Sequence, residues 1–158
     1  MSETKQYCTF YLDRMLLGVE VLQVQEVIRH HEITVVPLAP PALSGLMNLR
    51  GSIISCIDLR RRFGLPRAPA DVVSANIVVQ GSGGLASLQV DRICDVIEVA
   101  DECFEPPPET LREETRHLID RICKLEGALL LTLNLGRVLE IEPHVVQTGV
   151  PSGPCAER

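Results

Sequence analysis

Apolar and polar side chains alternate over short runs along most of this chain. Tyr7-Cys8-Thr9-Phe10-Tyr11-Leu12 is rich in β-branched and aromatic residues and predicts a strand. Asp13-Arg14 turns it into a second strand, Leu16 to Val19. Val21, Val24, Val27 and Ile28 then recur at helical spacing, with Gln23 and Glu26 off that stripe, and predict a short helix. Ile33-Thr34-Val35-Val36 reads as a brief strand stopped by Pro37 and the Pro40-Pro41 pair. Ala75, Ile77 and Val79 alternate with polar or outward positions, Ser82-Gly83-Gly84 reverses the chain, and Ala86, Leu88 and Val90 continue the period: a hairpin. Ile93 to Val99 predicts another strand. An acidic, proline-rich loop follows from Asp101 to about Glu114. His117 to Leu125 and Ala128 to Asn134 make a last pair around Glu126-Gly127, and a helical turn, Leu135 to Leu139, closes the pattern.

Eight or nine short strands with regular turns, and no long alternation of strand and helix, predict a mainly β fold in two small units. Aromatic residues are only 3% of the 158, so Val, Ile and Leu must fill the core. The richest apolar run, Ala128 to Leu135, is far shorter than the ~20 residues a spanning helix needs. The N-terminus lacks the basic and apolar regions of a signal peptide, which predicts a cytoplasmic protein. A formal charge of −6 opposes phosphate backbones and argues against nucleic acid as a partner.

The search for chemistry finds little. Ser82-Gly83-Gly84 joins two strands, whereas a phosphate cradle leads into a helix. His30-His31-Glu32 on a strand would point its imidazoles to opposite faces, so no metal set forms. His117 and His144 stand beside no nucleophile elbow. Arg60-Arg61-Arg62 reads as the wet face of a short helix anchored by Leu59 and Phe63. None of the six cysteines falls in a CxxC pair. Cys8, Cys56, Cys94 and Cys123, inside apolar runs, read as small buried hydrophobes, and Cys155 as an exposed thiol of the tail. The expectation is no catalytic residue, no metal and no cofactor.

One stretch stands apart. Asn48-Leu49-Arg50-Gly51-x-Ile53-x(4)-Asp58-Leu59-Arg60, ending at Phe63-Gly64, resembles the centre of the chemotaxis coupling (CheW-like) family. Phe10-x-Leu12 with Gly18-Val19, Val24-Gln25-Glu26-Val27, Val90-Asp91-Arg92-Ile93-x-Asp95-Val96 and Leu131-Thr132-Leu133-Asn134-Leu135 extend the resemblance in order. It departs at Ser55, where the family usually carries proline, at Ser87, usually glycine, and at Arg121-Ile122-Cys123, which replaces a Gly-x-Gly pattern.

The resemblance implies two intertwined five-stranded SH3-like β-barrels with a few short helices, spanning 6–142 as one domain, with flexible termini at 1–5 and 143–158. It implies a non-enzymatic scaffold between the cytoplasmic tip of chemoreceptors and the regulatory domain of a CheA-type histidine kinase, cytoplasmic and located at receptor arrays. The receptor groove falls on Val24, Glu26, Arg50, Gly51, Ile93 and Val96. In an extended strand Ile93 and Val96 face opposite ways, so both can line it only if a bulge or strand end intervenes. Gly45, Asn48, Leu49 and Asp58 read as a structural corner: Leu46 and Leu49 plug the barrel, Asn48 satisfies turn backbone, and Arg50 projects outward to clamp a carboxylate, with Glu26 the candidate. The alternative is a paralogue that closes rings with its own kind or serves a pilus or surface-sensing pathway.

Overall fold

The computed structural model describes residues 3–29, 31–66, 68–69 and 74–140. The chain folds into two curled sheets. The first contains β1 (Thr4–Leu12), β2 (Met15–Glu20), β8 (Arg92–Ala100), β9 (Phe104–Glu105), β10 (Ile119–Leu125) and β11 (Ala128–Leu133), in the order β8-β1-β2-β11-β10-β9. The second contains β3 (Val24–Ile28), β4 (Leu43–Leu49), β5 (Ser52–Asp58), β6 (Ala75–Gly81) and β7 (Gly84–Val90), in the order β3-β6-β7-β5-β4. Three short helices accompany them: α1 (Leu59–Arg62), α2 (Glu113–Leu118) and α3 (Leu135–Val138).

Each sheet is closed by a short device at its ends. In the first, a single 3₁₀ turn, Asp101–Cys103, carries the chain from edge strand β8 into edge strand β9. In the second, the segment after β3 crosses to β4, where Thr34 N–H and C=O both bond Leu46 at 2.8 Å. The second closure pairs part of a sheet edge that would otherwise offer unpaired backbone groups.

Side-chain alternation gives three apolar layers. Phe10, Leu12, Leu17, Val19, Leu131 and Leu133 of the first sheet meet Ile57, Ile77, Val79, Leu88 and Val90 of the second in one shared core. Met47, Leu49, Ile54, Cys56 and Val78 fill the interior of the second barrel. Tyr7, Val99, Cys123 and Leu130 fill the first. Every central strand thus has two buried faces, which explains a core of this size with almost no aromatic residues.

The structure corrects several expectations. Val21 to Ile28 is not a helix: Val21–Gln23 is a 3₁₀ turn and Val24–Ile28 is strand β3, antiparallel to β6. A bulge between Val24 and Glu26 sets Val24 opposite Val79 of the shared core and Glu26 opposite Val78 of the barrel interior. That extra residue shifts the strand period and mimics helical spacing. Ile33–Val36 makes only the isolated bridge at Thr34. His117 belongs to α2, whose acidic first turn and basic last turn complement the helix dipole, so β10 starts at Ile119. Thr4 and Lys5 already pair with Ala100 and Val99, inside the sheet and not in a loose terminus. Cys94 is half-buried rather than buried. His30, His144 and Cys155 lie outside the described residues.

Candidate functional site: the Arg50 corner and the seam between barrels

β4 and β5 are joined by a two-residue turn. Leu49 pairs Ser52, and Arg50 and Gly51 between them hold φ of 51° and 91°. Positive φ at both positions is the geometry of a type I′ hairpin, which matches strand twist and ordinarily selects Asn-Gly. Arg50 therefore sits in the left-handed region at a cost of roughly 1–2 kcal/mol for a side chain of its kind. Asn48 braces the turn: its Oδ1 accepts the Gly51 N–H at 2.9 Å, while its carbonyl lies 2.8 Å from His31 Nε2. Leu49 is buried in the second barrel, with Met47 beside it; Leu46, expected as a second plug, is only half-buried on the other face.

The Arg50 side chain is 70% exposed, and its Nη2 donates to Glu26 Oε1 at 2.6 Å. An exposed pair of this kind contributes about 0–1 kcal/mol, too little to account for the strained turn. Val24 and Ile93 pack from β3 and β8 against the shared core, at the seam where the two sheets meet. β8 carries a bulge: Val96 pairs Cys8 but Ile93 pairs Phe10, three residues against two. The bulge undoes simple alternation between Ile93 and Val96, and Val96 emerges 54% exposed. Val27, expected on an apolar stripe and not among the groove residues, is 42% exposed on β3.

At the far end of β5 from the turn lies a polar latch that local pattern did not reveal, and Asp58, expected as part of the corner, belongs to it. Asp58 caps α1 by accepting the Arg60 N–H at 3.0 Å and the Arg61 N–H at 3.4 Å. Arg60 is not on a wet face, since the residue is 8% exposed. Its Nε and Nη2 form a fork with the Asp91 carboxylate at 2.9 and 2.6 Å, and Nη1 bonds the Pro66 carbonyl at 3.1 Å. Asp91 Oδ2 also accepts the Asp13 N–H of the β1–β2 turn at 2.8 Å. Burial pushes the Asp91 carboxyl up, but Arg60's hydrogen bonds and charge and the Asp13 N–H outweigh it and hold the group below its ordinary value. Arg62 reaches across to α3 and donates to the carbonyls of Val138 and Arg137 at 3.0 and 2.6 Å. Two arginines of the run thus tie the barrels together.

The three departures from the family pattern are accommodated. Ser55 lines an open cleft of about 650 Å³ with Leu43, Ile57, Leu85 and Leu139. Ser87 is fully buried and donates to Asn76 Oδ1, which also accepts from the Cys56 thiol; burial pushes that thiol up to about 11. Arg121 stacks 4.3 Å over the Phe104 ring and pairs with Asp101 at 3.3 Å. Among the described residues no three His, Cys, Asp or Glu side chains converge as a metal set, and no helix is long and apolar enough to cross a membrane.

Comparison with known proteins agrees with this geometry. The CheW-like domain family matches residues 6–142. The chemotaxis protein CheW of Bacillus subtilis is 32% identical over 134 residues, 85% of each chain. That of Treponema pallidum is 26% identical over 141 residues, 87% of this chain and 83% of its own. The crystal structure of the scaffolding protein TtCheW from Thermoanaerobacter tengcongensis superposes with a TM-score of 0.80 at 32% identity, covering 88% of this chain and 94% of that one. The two closed sheets are the paired SH3-like barrels of that fold, and the chain belongs to the CheW-like domain family.

Proposed function

We propose that this chain is a non-enzymatic cytoplasmic adaptor that couples the cytoplasmic tips of chemoreceptors to the regulatory domain of a CheA-type histidine kinase at receptor arrays. One observation carries the receptor half of this reading. A charged side chain occupies a turn position whose backbone favours asparagine or glycine, and it is held out in solvent with only a weak partner. Strain kept at an exposed arginine points to binding, because folding gains nothing from it. Val24, Glu26, Gly51, Ile93 and Val96 form the rest of the receptor groove, and residues 6–142 act as one domain.

Two substitutions separate binding from folding. Arg50→Glu is expected to weaken receptor-tip binding about tenfold, ~1.4 kcal/mol, with kinase affinity nearly unchanged, since rim charges act on association and specificity. Arg50→Asn is expected to lose a similar share of receptor affinity while unfolding at the same or a higher temperature, gaining up to about 1 kcal/mol from the relieved turn. Titration calorimetry against a receptor-tip fragment and the kinase regulatory domain, with thermal unfolding alongside, measures both. If Arg50→Glu loses the kinase and keeps the receptor, the corner serves the other interface and the assignment fails.

A further inference from the structure

The first barrel closes at one corner, and that corner holds two thiols. β8 ends at Ala100, the 3₁₀ turn Asp101–Cys103 follows, and β9 pairs with β10 through Phe104↔Cys123 and Glu105↔Ile122. Cys103 is one step from the residue paired with Cys123. In antiparallel strands such a diagonal neighbour has its Cα about 6 Å away, within the roughly 4.4–6.8 Å that a disulfide spans. In a continued strand Cys103 would point away from Cys123. Cys103 ends the 3₁₀ turn and not a strand, so strand alternation does not apply to it. The two thiols differ in access: Cys103 is exposed, whereas Cys123 is 1% exposed among Tyr7, Val99 and Leu130.

We propose that Cys103 and Cys123 form a reversible dithiol–disulfide site whose reactant is a low-molecular-weight disulfide such as oxidised glutathione. The Cys103 sulfur, as thiolate, attacks one sulfur of the reactant. A Cys103 mixed disulfide forms, and the displaced half leaves as a thiol carrying the proton Cys103 gave up. The Cys123 sulfur then attacks the Cys103 sulfur, the protein disulfide forms, and the second half leaves as a thiol with the Cys123 proton. Two protein thiols are oxidised and one disulfide is reduced to two thiols. Burial, with the Cys103 thiol beside it, pushes the Cys123 thiol up, and at 1% exposure it is shielded from the reactant, so Cys103 attacks first. The order of steps follows from access. The product clamps β9 to β10 and closes the segment from Cys103 to Cys123, which carries the proline-rich stretch and α2. Reducing poise keeps the site open.

The test equilibrates the reduced full-length chain in glutathione buffers of graded ratio, quenches with acid, and alkylates after denaturation. Peptide mass spectrometry should find a Cys103–Cys123 link, lighter by two hydrogens, with Cys8, Cys56 and Cys94 alkylated. Cys123→Ala should hold Cys103 as the glutathione mixed disulfide, and Cys103→Ser should leave Cys123 reduced. The thermal midpoint of the unsubstituted chain should rise in the oxidised buffer, and that of either variant should not. A stable mixed disulfide at Cys103 of the unsubstituted chain, an unreacted Cys103, or a link that forms only after unfolding in urea would each overturn the assignment.

Discussion

Arg60→Met is expected to lower the unfolding free energy by about 3–5 kcal/mol, the cost of leaving one member of a buried, hydrogen-bonded ion pair alone. The orphan is Asp91, whose side chain is 13% exposed and which loses a two-point fork while keeping only the Asp13 N–H. Urea unfolding at neutral pH measures the loss. Its pH dependence identifies the cause. In the unsubstituted chain Asp91 titrates below its ordinary value, so the stability it contributes is present above the unfolded pKa, about 3.9, and is lost as pH falls through the lower folded value. In Arg60→Met burial is no longer outweighed, the Asp91 pKa rises, and protonation relieves the penalty. The gap between the two proteins should therefore narrow as pH approaches ~3. Adding Asp91→Leu to Arg60→Met should recover part of the loss at neutral pH, since no buried charge remains. A constant gap across pH would mean that lost packing of the Arg60 stem, and not the ion pair, sets the effect.

Gly45→Ala should open the second barrel. A Cβ at Gly45 would stand 2.2 Å from the Thr34 carbonyl oxygen and 2.8 Å from its carbon. Those are backbone atoms, so no rotamer change makes room. The crossing segment must lift, and with it go the two Thr34–Leu46 hydrogen bonds that close the barrel. At about 1 kcal/mol for each bond, plus the exposed edge and disturbed packing of Ile33, the loss is about 3 kcal/mol or more. Gly51→Ala is the control. Nothing lies within 4 Å of its Cβ, and only its φ of 91° is strained, so ~1–2 kcal/mol is expected. Thermal unfolding should rank Gly45→Ala well below Gly51→Ala. A Gly45→Ala protein melting within about 2 °C of the unsubstituted chain would refute the close approach.

What could be read in advance follows the range of the interactions. The Ala75–Val90 hairpin and the β10–β11 pair depend on alternation and turn residues a few positions apart, and both formed as expected. The Asn48 brace was legible because a turn motif narrows the geometry of its neighbours. Glu26 was expected as the partner of Arg50 from a position off a helical stripe, and the structure makes that contact from strand β3, 24 positions away. The β3 strand was misread because one bulged residue changed its period. Arg60 looked solvated because its neighbours are arginines; the signal that it is buried is Asp91, 31 positions away and joined to it only by the fold. The α2 helix could have been found from Glu113-Glu114 followed by Arg116-His117, a charge order that suits a helix and is indifferent in a strand.

The pairing of β2 with β11 has a consequence for how the chain is made. Leu16, Leu17 and Gly18 lie parallel to Leu130, Leu131 and Thr132, more than a hundred residues later. Every strand of the second barrel lies between those two partners. On the ribosome, the β1–β2 hairpin emerges before the second barrel and must wait with an open edge and an apolar face until β8 to β11 are synthesised. The second barrel is contiguous and can form meanwhile, yet half of the shared core against which it packs is still missing. Completion thus depends on the slowest kind of contact, a parallel pairing of distant strands. A nascent chain stalled before β11 should be the species most exposed to aggregation and most dependent on chaperones.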